Sequence, residues 1–208
     1  EDRHPDVRVE ISADSGLPAL IAGKTDVSLG SYYRPDPRLF ALPAGICYSF
    51  IMATKKYERK YGLPETIEDL KRHTILLRYT QNLGYSNKLE NGTETYYIDR
   101  GHRVQHGDAA ACREMLLAGE GLAIDLTPGF VSDYLASGFV FPVLKGWHRE
   151  PCHYHVYCRA GSQDDKVLRE LMAYVERGVF ATFANQWQFW YGKLWIPMPE
   201  GFVPQAKS

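Results

Sequence analysis

The sequence predicts an α/β fold, and three observations carry that prediction. Short apolar or alternating runs recur at 7–11, 25–30, 75–77, 122–126, 139–144 and 153–157. Helical segments with recognisable starts and stops stand between them, and glycine or proline punctuates most junctions. Repeated alternation of strand and helix is the signature of the α/β class.

In chain order, Val7-Arg8-Val9-Glu10-Ile11 alternates apolar and charged residues, as a strand with one wet face does. A short helix follows from Gly16, with Pro18 tolerated in its first turn and Gly23 as its stop, and then an apolar strand, 25–30. Together these read as a parallel βαβ unit. The apolar run 46–53 leads into a helix over 55–61 that Gly62-Leu63-Pro64 ends. Thr66, with Asp69 three residues on, opens another short helix, and 75–77 is a buried strand. Asn91-Gly92 marks a hairpin turn. Asp108 caps a helix stopped by Gly119 and Gly121; the strand 122–126 and a helix over 128–135, closed by Gly138, follow. Two further strands, 139–144 and 153–157, precede an amphipathic helix over 164–175. The tail places Phe180, Phe183, Trp187, Phe189, Trp190, Tyr191, Trp195 and Phe202 in one short segment. This reads either as a terminal helix and arm packed on the core or as an aromatic surface facing a subunit or ligand.

Composition narrows the classes. With 208 residues, 45% hydrophobic and 24% charged, the chain can bury a sizeable core as one domain or two lobes of roughly 100 residues. Lys+Arg 24 against Asp+Glu 25 leaves a charge of -1, without the basic footprint of a nucleic-acid binder. No apolar run approaches the roughly 18 residues of a membrane helix, and the first residues carry no signal core. Cys47, Cys112, Cys152 and Cys158 fit no Cys-x-x-Cys spacing, and reduced cytoplasmic thiols are the expectation. On a strand His153 and His155 share one face and Cys152 and Cys158 the other, which argues against one shared metal ion. Asn91-Gly92-Thr93 matches a glycosylation sequon but reads as a turn. Nucleophile elbow, P-loop and GxGxxG motifs are lacking, so no catalytic residue, cofactor or metal is assigned.

Six stretches, in this order, carry a resemblance: His4-Pro5-Asp6-Val7-Arg8-Val9-Glu10, Gly23-Lys24-Thr25-Asp26-Val27-Ser28-Leu29, Leu63-Pro64-Glu65-Thr66-Ile67-Glu68-Asp69-Leu70, Gly107-Asp108-Ala109-Ala110-Ala111, Ala118-Gly119-Glu120-Gly121-Leu122-Ala123-Ile124 and Asp133-Tyr134-Leu135-Ala136-Ser137-Gly138. Each is unspecific alone, but the ordered set, over residues 4–175, resembles the effector-binding domain of LysR-type transcriptional regulators. The resemblance implies two Rossmann-like subdomains joined by two crossover strands, similar to a type 2 periplasmic binding protein. It implies crossovers near Ala44–Tyr48 and Pro151–Tyr154, subdomain I from 1–46 and 152–208, and subdomain II from 47–151. It further implies a small-molecule effector in the cleft, a homodimer or homotetramer, and DNA contact only through a winged helix-turn-helix that this chain lacks. The family's first strand is missing as well, and the tail is more aromatic than the family's.

Candidate effector residues lie at strand ends and helix starts, where open α/β sheets present free N–H groups. Gly30, Ser31 and Tyr32 follow one predicted strand and read as cleft lining or as a plain turn. Arg78 and Thr80 follow another; Arg78 can grip a carboxylate in two places or make a surface salt bridge. His106, Asp108 and Ala109 precede a helix, Asp108 as a cap or a ligand contact and Ala109 by being small. Asp125 interrupts an apolar strand, so a buried partner such as Arg78 or a role in reading the effector is expected. Thr127 adds a donor. These donors point to a small organic acid, aromatic ones included. The rival reading is an exported solute-binding protein of the same architecture; an enzyme is the weaker alternative.

Overall fold

The computed structural model describes residues 4–12, 16–31, 36–78 and 87–196. Their elements run α1 (Leu17–Ile21), β1 (Ser28–Gly30), β2 (Leu39–Cys47), β3 (Met52–Thr54), α2 (Lys55–Tyr61), β4 (Thr74–Arg78), β5 (Lys88–Asn91), β6 (Glu94–Tyr97) and β7 (Arg103–Gly107). They continue as α3 (Ala109–Ala118), β8 (Leu122–Ala123), α4 (Ser132–Ala136), β9 (Val140–Pro142), β10 (Cys152–Arg159) and α5 (Lys166–Gln186), with short 3-10 turns between. Alternating strands and helices make this the α/β class that the sequence predicts.

The chain divides into two compact units. Unit 1 takes the described residues up to Ile46 with His153–Ala184; unit 2 takes Cys47–Cys152 and the segment beginning at Asn185. The tail therefore does not stay whole with the first unit, as a boundary at 152–208 would have it. Tyr191 is the physical reason. Fully buried, its hydroxyl accepts the Tyr48 N–H at 3.0 Å and lies 2.9 Å from the Tyr48 carbonyl, and its ring meets Phe50 edge-on. Of the aromatic tail, Tyr191 is the ring buried in unit 2, while Phe189 and Trp195 are exposed.

Unit 2 is built on a five-stranded sheet in the order β7-β4-β8-β3-β9. β4 runs parallel to β7 and β8, and β3 runs antiparallel to β8 and β9. Ile51, Ile75, Leu77, Leu122 and Ile124 are buried in one apolar cluster with Tyr57 and Leu70. α2 starts where the Thr54 hydroxyl accepts the Tyr57 N–H, and α3 where Asp108 accepts the Ala111 N–H; Gly119, at φ 72°, stops α3. The 3-10 turn at Ile67–Arg72 carries the expected capping box, Asp69 accepting the Thr66 N–H at 2.9 Å. Asn91 and Gly92 turn the β5–β6 hairpin. Gly121 is required by closeness, because a Cβ there would stand 2.8 Å from Leu76 and from the Thr74 carbonyl.

Unit 1 holds the sheet β1-β10-β2 and α5. Three expectations change here. Residues 7–11 form no strand: Ile11 is 96% exposed, and among the described residues none pairs with this stretch, so its alternation has no ladder to join. β1 consequently has no parallel neighbour and pairs antiparallel with β10, Leu29 opposite Val156, so the parallel βαβ unit is not formed. The last helix runs on to Gln186 because apolar residues keep helical spacing past 175; Val179 packs against the unit's core and Phe183 is buried. Phe183 also explains Gly45, whose φ of 151° and missing side chain let the ring approach within 2.5 Å of where a Cβ would be.

Candidate functional site

The parallel strands of unit 2 bring their carboxyl ends to one edge, where open α/β sheets place ligand groups. Arg78 is the last residue of β4 and lies opposite Gly107, the last of β7; Asp125 follows β8 by two residues. The Asp125 carboxylate accepts the backbone N–H of Arg78 and pairs with Arg149, Oδ1 to Nε 3.3 Å, with side-chain exposures of only 15% and 8%. The buried carboxylate therefore has a partner, as burial of charge demands, but the side chain that pairs with it is Arg149.

Arg149 is placed by its backbone. Glu90 and His148 exchange N–H···O=C bonds of 2.9 Å in both directions, Arg149 donates its N–H to the Ser49 carbonyl at 2.8 Å, and its Nη1 reaches the Lys88 carbonyl at 3.0 Å. Burial pushes the Asp125 carboxyl above its ordinary range, while Arg149 and Arg78 pull it back without cancelling the shift.

Arg78 has the opposite condition. Its Nε is buried and meets no hydrogen-bond acceptor among the described residues. A buried donor left unmade costs about 1–3 kcal/mol, more when charged. Two guanidinium groups, those of Arg78 and Arg149, thus stand beside the one buried carboxylate of Asp125.

Two thiols share the edge. Cys47 ends β2 and Cys152 begins β10, neighbours in one sheet, and their side chains are hydrogen-bond partners. That bond, with Arg78 and Arg149 nearby, lowers the Cys152 thiol to about 7 against the opposing effect of burial and Asp125. The same bond and its own burial raise Cys47. Cys112, one turn into α3, is raised mainly by burial, and its Sγ lies 3.6 Å from the Gly107 carbonyl.

The other expected residues distribute as follows. Asp108 spends a carboxylate oxygen on capping α3 at 2.8 Å, and Ala109, the first residue of that helix, is half-buried. Thr127 is buried before a 3-10 turn, its carbonyl accepting the Phe130 N–H. His106 pairs in register with Leu77, one residue before Arg78 and Gly107, so it leaves the opposite face of the sheet from Arg78. There it borders an open depression of about 670 Å³ with Asn87, Asp99 and His102. Gly30 ends β1 opposite His155 in unit 1, and Ser31 follows it half-buried. Tyr32 and Thr80 lie outside the described residues. Sequence reasoning missed Arg149 and the thiol pair. His148-Arg149-Glu150 reads as a solvated charge run, and Cys47 and Cys152 are 105 positions apart, so no local pattern marks either.

The chain is 28% identical over 152 residues to an HTH-type transcriptional regulator of Xanthomonas campestris pv. campestris, covering 70% of this chain and 43% of that protein. The chain thus spans less than half the length of that relative. Among solved structures it is similar to the regulatory domain of CrgA, a LysR-type transcriptional regulator from Neisseria meningitidis, with TM-score 0.70 and 21% identity over 86% of this chain and 87% of that one. The regulatory domain of AphB in Vibrio vulnificus superposes with TM-score 0.65 and 22% identity over 84% and 85%. These likenesses agree on the fold, two α/β subdomains of the type 2 periplasmic-binding-protein kind. The model of the LysR substrate binding domain matches residues 1–179, and by that match the chain belongs to the LysR substrate-binding domain family.

Proposed function

We propose that this domain senses a small organic acid for a LysR-type transcription regulator, and that the acid's carboxylate is received at the Arg78 end of β4. The observation that carries the reading is the buried Arg78 Nε without an acceptor. A carboxylate satisfies that donor with a charge-assisted bond. Asp125, already engaged by Arg149, tunes the site rather than repelling the ligand; an amine or hydroxyl elsewhere on the acid gains a partner in it. Thr127, Asp108 and Ala109 line the same edge in this reading.

DNA contact belongs to a winged helix-turn-helix outside this chain, since a near-neutral domain supplies little phosphate neutralisation. Self-association as a homodimer or homotetramer in the cytoplasm completes the proposal. The relatives matched by sequence and fold carry regulator names, which favours this reading over a solute-binding protein or an enzyme. Among the described residues no helix is long and apolar enough to cross a membrane.

The test is thermal stabilisation by panels of aromatic acids, aliphatic acids, amino acids and neutral sugars, with the parent and with Arg78→Ala and Asp125→Ala. A true effector raises the melting temperature as its concentration passes Kd, by RT ln(1 + [L]/Kd) in free energy. Acids should stabilise the parent, and Arg78→Ala should abolish the rise. Stabilisation by neutral sugars alone, or equal responses in both variants and the parent, defeats the assignment.

A further inference from the structure

We propose that Cys47 and Cys152 form a peroxide-oxidised thiol pair, a modification site in which a hydroperoxide attacks at Cys152 and Cys47 closes a disulfide across the ends of β2 and β10. The pairing is tertiary. β2 and β10 are adjacent in the three-stranded sheet, the Arg38 carbonyl beside the start of β2 receives the Ala160 N–H beyond the end of β10, and Cys47 and Cys152 stand at the other end of the same two strands. Residues facing each other on antiparallel strands have Cα atoms about 4.5–5.5 Å apart, inside the roughly 4.4–6.8 Å span of disulfides. The two thiols also act on one another, Cys47 lowering Cys152 and Cys152 raising Cys47.

The two thiols differ in the way an attacking and a resolving cysteine must. Cys152 is half-buried, hence reachable by a small oxidant, whereas Cys47 is fully buried. The thiolate is the nucleophile, and at Cys152 the Cys47 bond and the guanidinium groups of Arg78 and Arg149 stabilise it near neutral pH. Burial raises Cys112 and Cys158, and both are shut away from solvent, so they stay thiols. Selectivity among the four cysteines follows from exposure and charge.

The chemistry balances in two steps. The Cys152 sulfur attacks one peroxide oxygen; an S–O bond forms as the O–O bond breaks, and the released hydroxide or alkoxide takes up a proton as water or alcohol. The Cys47 sulfur then attacks the sulfenic sulfur of Cys152; the S–S bond forms, the S–O bond breaks, and the leaving hydroxide takes the Cys47 proton as water. Two thiols lose two electrons, and the peroxide gains them. Cys47 opens and Cys152 closes the central stretch of unit 2, so the disulfide ties together the two points at which the chain enters and leaves that stretch.

One equivalent of hydrogen peroxide added to the reduced protein at neutral pH tests this, followed by thiol titration and non-reducing peptide mapping. The expected result is loss of two of the four thiols, a Cys47–Cys152 cross-linked peptide, and full recovery with dithiothreitol. The rate should climb as pH rises through about 7, with the thiolate fraction of Cys152. In Cys47→Ser a dimedone adduct should accumulate on Cys152, and Cys152→Ser should leave Cys47 unreactive. If the serine variants do not fold, mapping of the parent decides. Oxidation falling on Cys112 or Cys158, over-oxidation of Cys152 without a cross-link, or four thiols surviving the peroxide would each overturn the proposal.

Discussion

The two units bury apolar surface on different scales. Among the described residues, unit 2 gathers a core cluster of Ile51, Tyr57, Leu70, Ile75, Leu122, Trp147 and their neighbours, while unit 1 closes around Ala44, Val156, Cys158 and Met172. Charge follows the same division. One ion pair of unit 2, Asp125–Arg149, is buried, whereas Arg159–Asp26 in unit 1 spans 3.6 Å with side-chain exposures of 37% and 76%. Among the described residues, unit 2 thus holds the larger store of hydrophobic free energy and also the costlier polar cluster. A well-packed unit can carry an unpaired guanidinium donor because its core offsets the penalty.

The sharpest way to break this comparison is Arg149→Ala. Removing one partner of a buried pair leaves Asp125 uncompensated and should cost about 3–5 kcal/mol in chemical denaturation. Arg159→Ala, at a solvent-screened pair, should cost far less. Equal losses would show that burial does not separate the two pairs.

Core truncation comes next. Leu76→Ala and Met172→Ala both remove fully buried side chains and should each cost about 2–5 kcal/mol. Leu76 should sit at the upper end, since the five-stranded sheet holds its cavity open while a thin core collapses more readily. Hydrogen exchange should report the same order, with amides of β4 better protected than those of β10. Slower exchange in β10 would reverse the ranking of the units.

Tyr191→Phe is smaller and sharper. It keeps the ring but removes the hydroxyl that the buried Tyr48 N–H donates to, for about 1–3 kcal/mol. An unchanged denaturation midpoint would mean that the ring alone holds the tail to unit 2.

The smallest effect is on pH. Burial raises the Asp125 carboxyl above its ordinary value of 3.8, so the folded protein holds that proton more tightly than the unfolded chain. Its contribution to stability is full below about pH 4 and is lost as pH rises through the raised folded value. The stability curve of the parent, less that of Asp125→Asn, should fall across that window. A difference that rises instead would mean that Arg149 outweighs desolvation.

Some of this was legible in the sequence for local reasons. Thr66 with Asp69, Asp108 before its helix, Asn91-Gly92 and the glycine stops report themselves, because capping and turn chemistry act within four residues. Arg78 stands out because it follows an apolar run and Asp125 because it interrupts one, where a charge has to be explained. The strand expected at 7–11 was not formed, since alternation describes a face and cannot supply the neighbour that a ladder needs.

By itself, then, the sequence determined the α/β alternation, the caps and glycine stops of α2 and α3, and the charged residues at the carboxyl ends of the strands, all set by backbone chemistry over short spans. Only tertiary structure decided that Arg149 rather than Arg78 pairs with the Asp125 side chain, that Tyr191 anchors the tail at Tyr48, and that Cys47 meets Cys152. The physical reason is common to all three. Each contact joins residues well separated along the chain, and which ones meet is settled by strand order and by where desolvated groups find partners, neither of which is written in any local window.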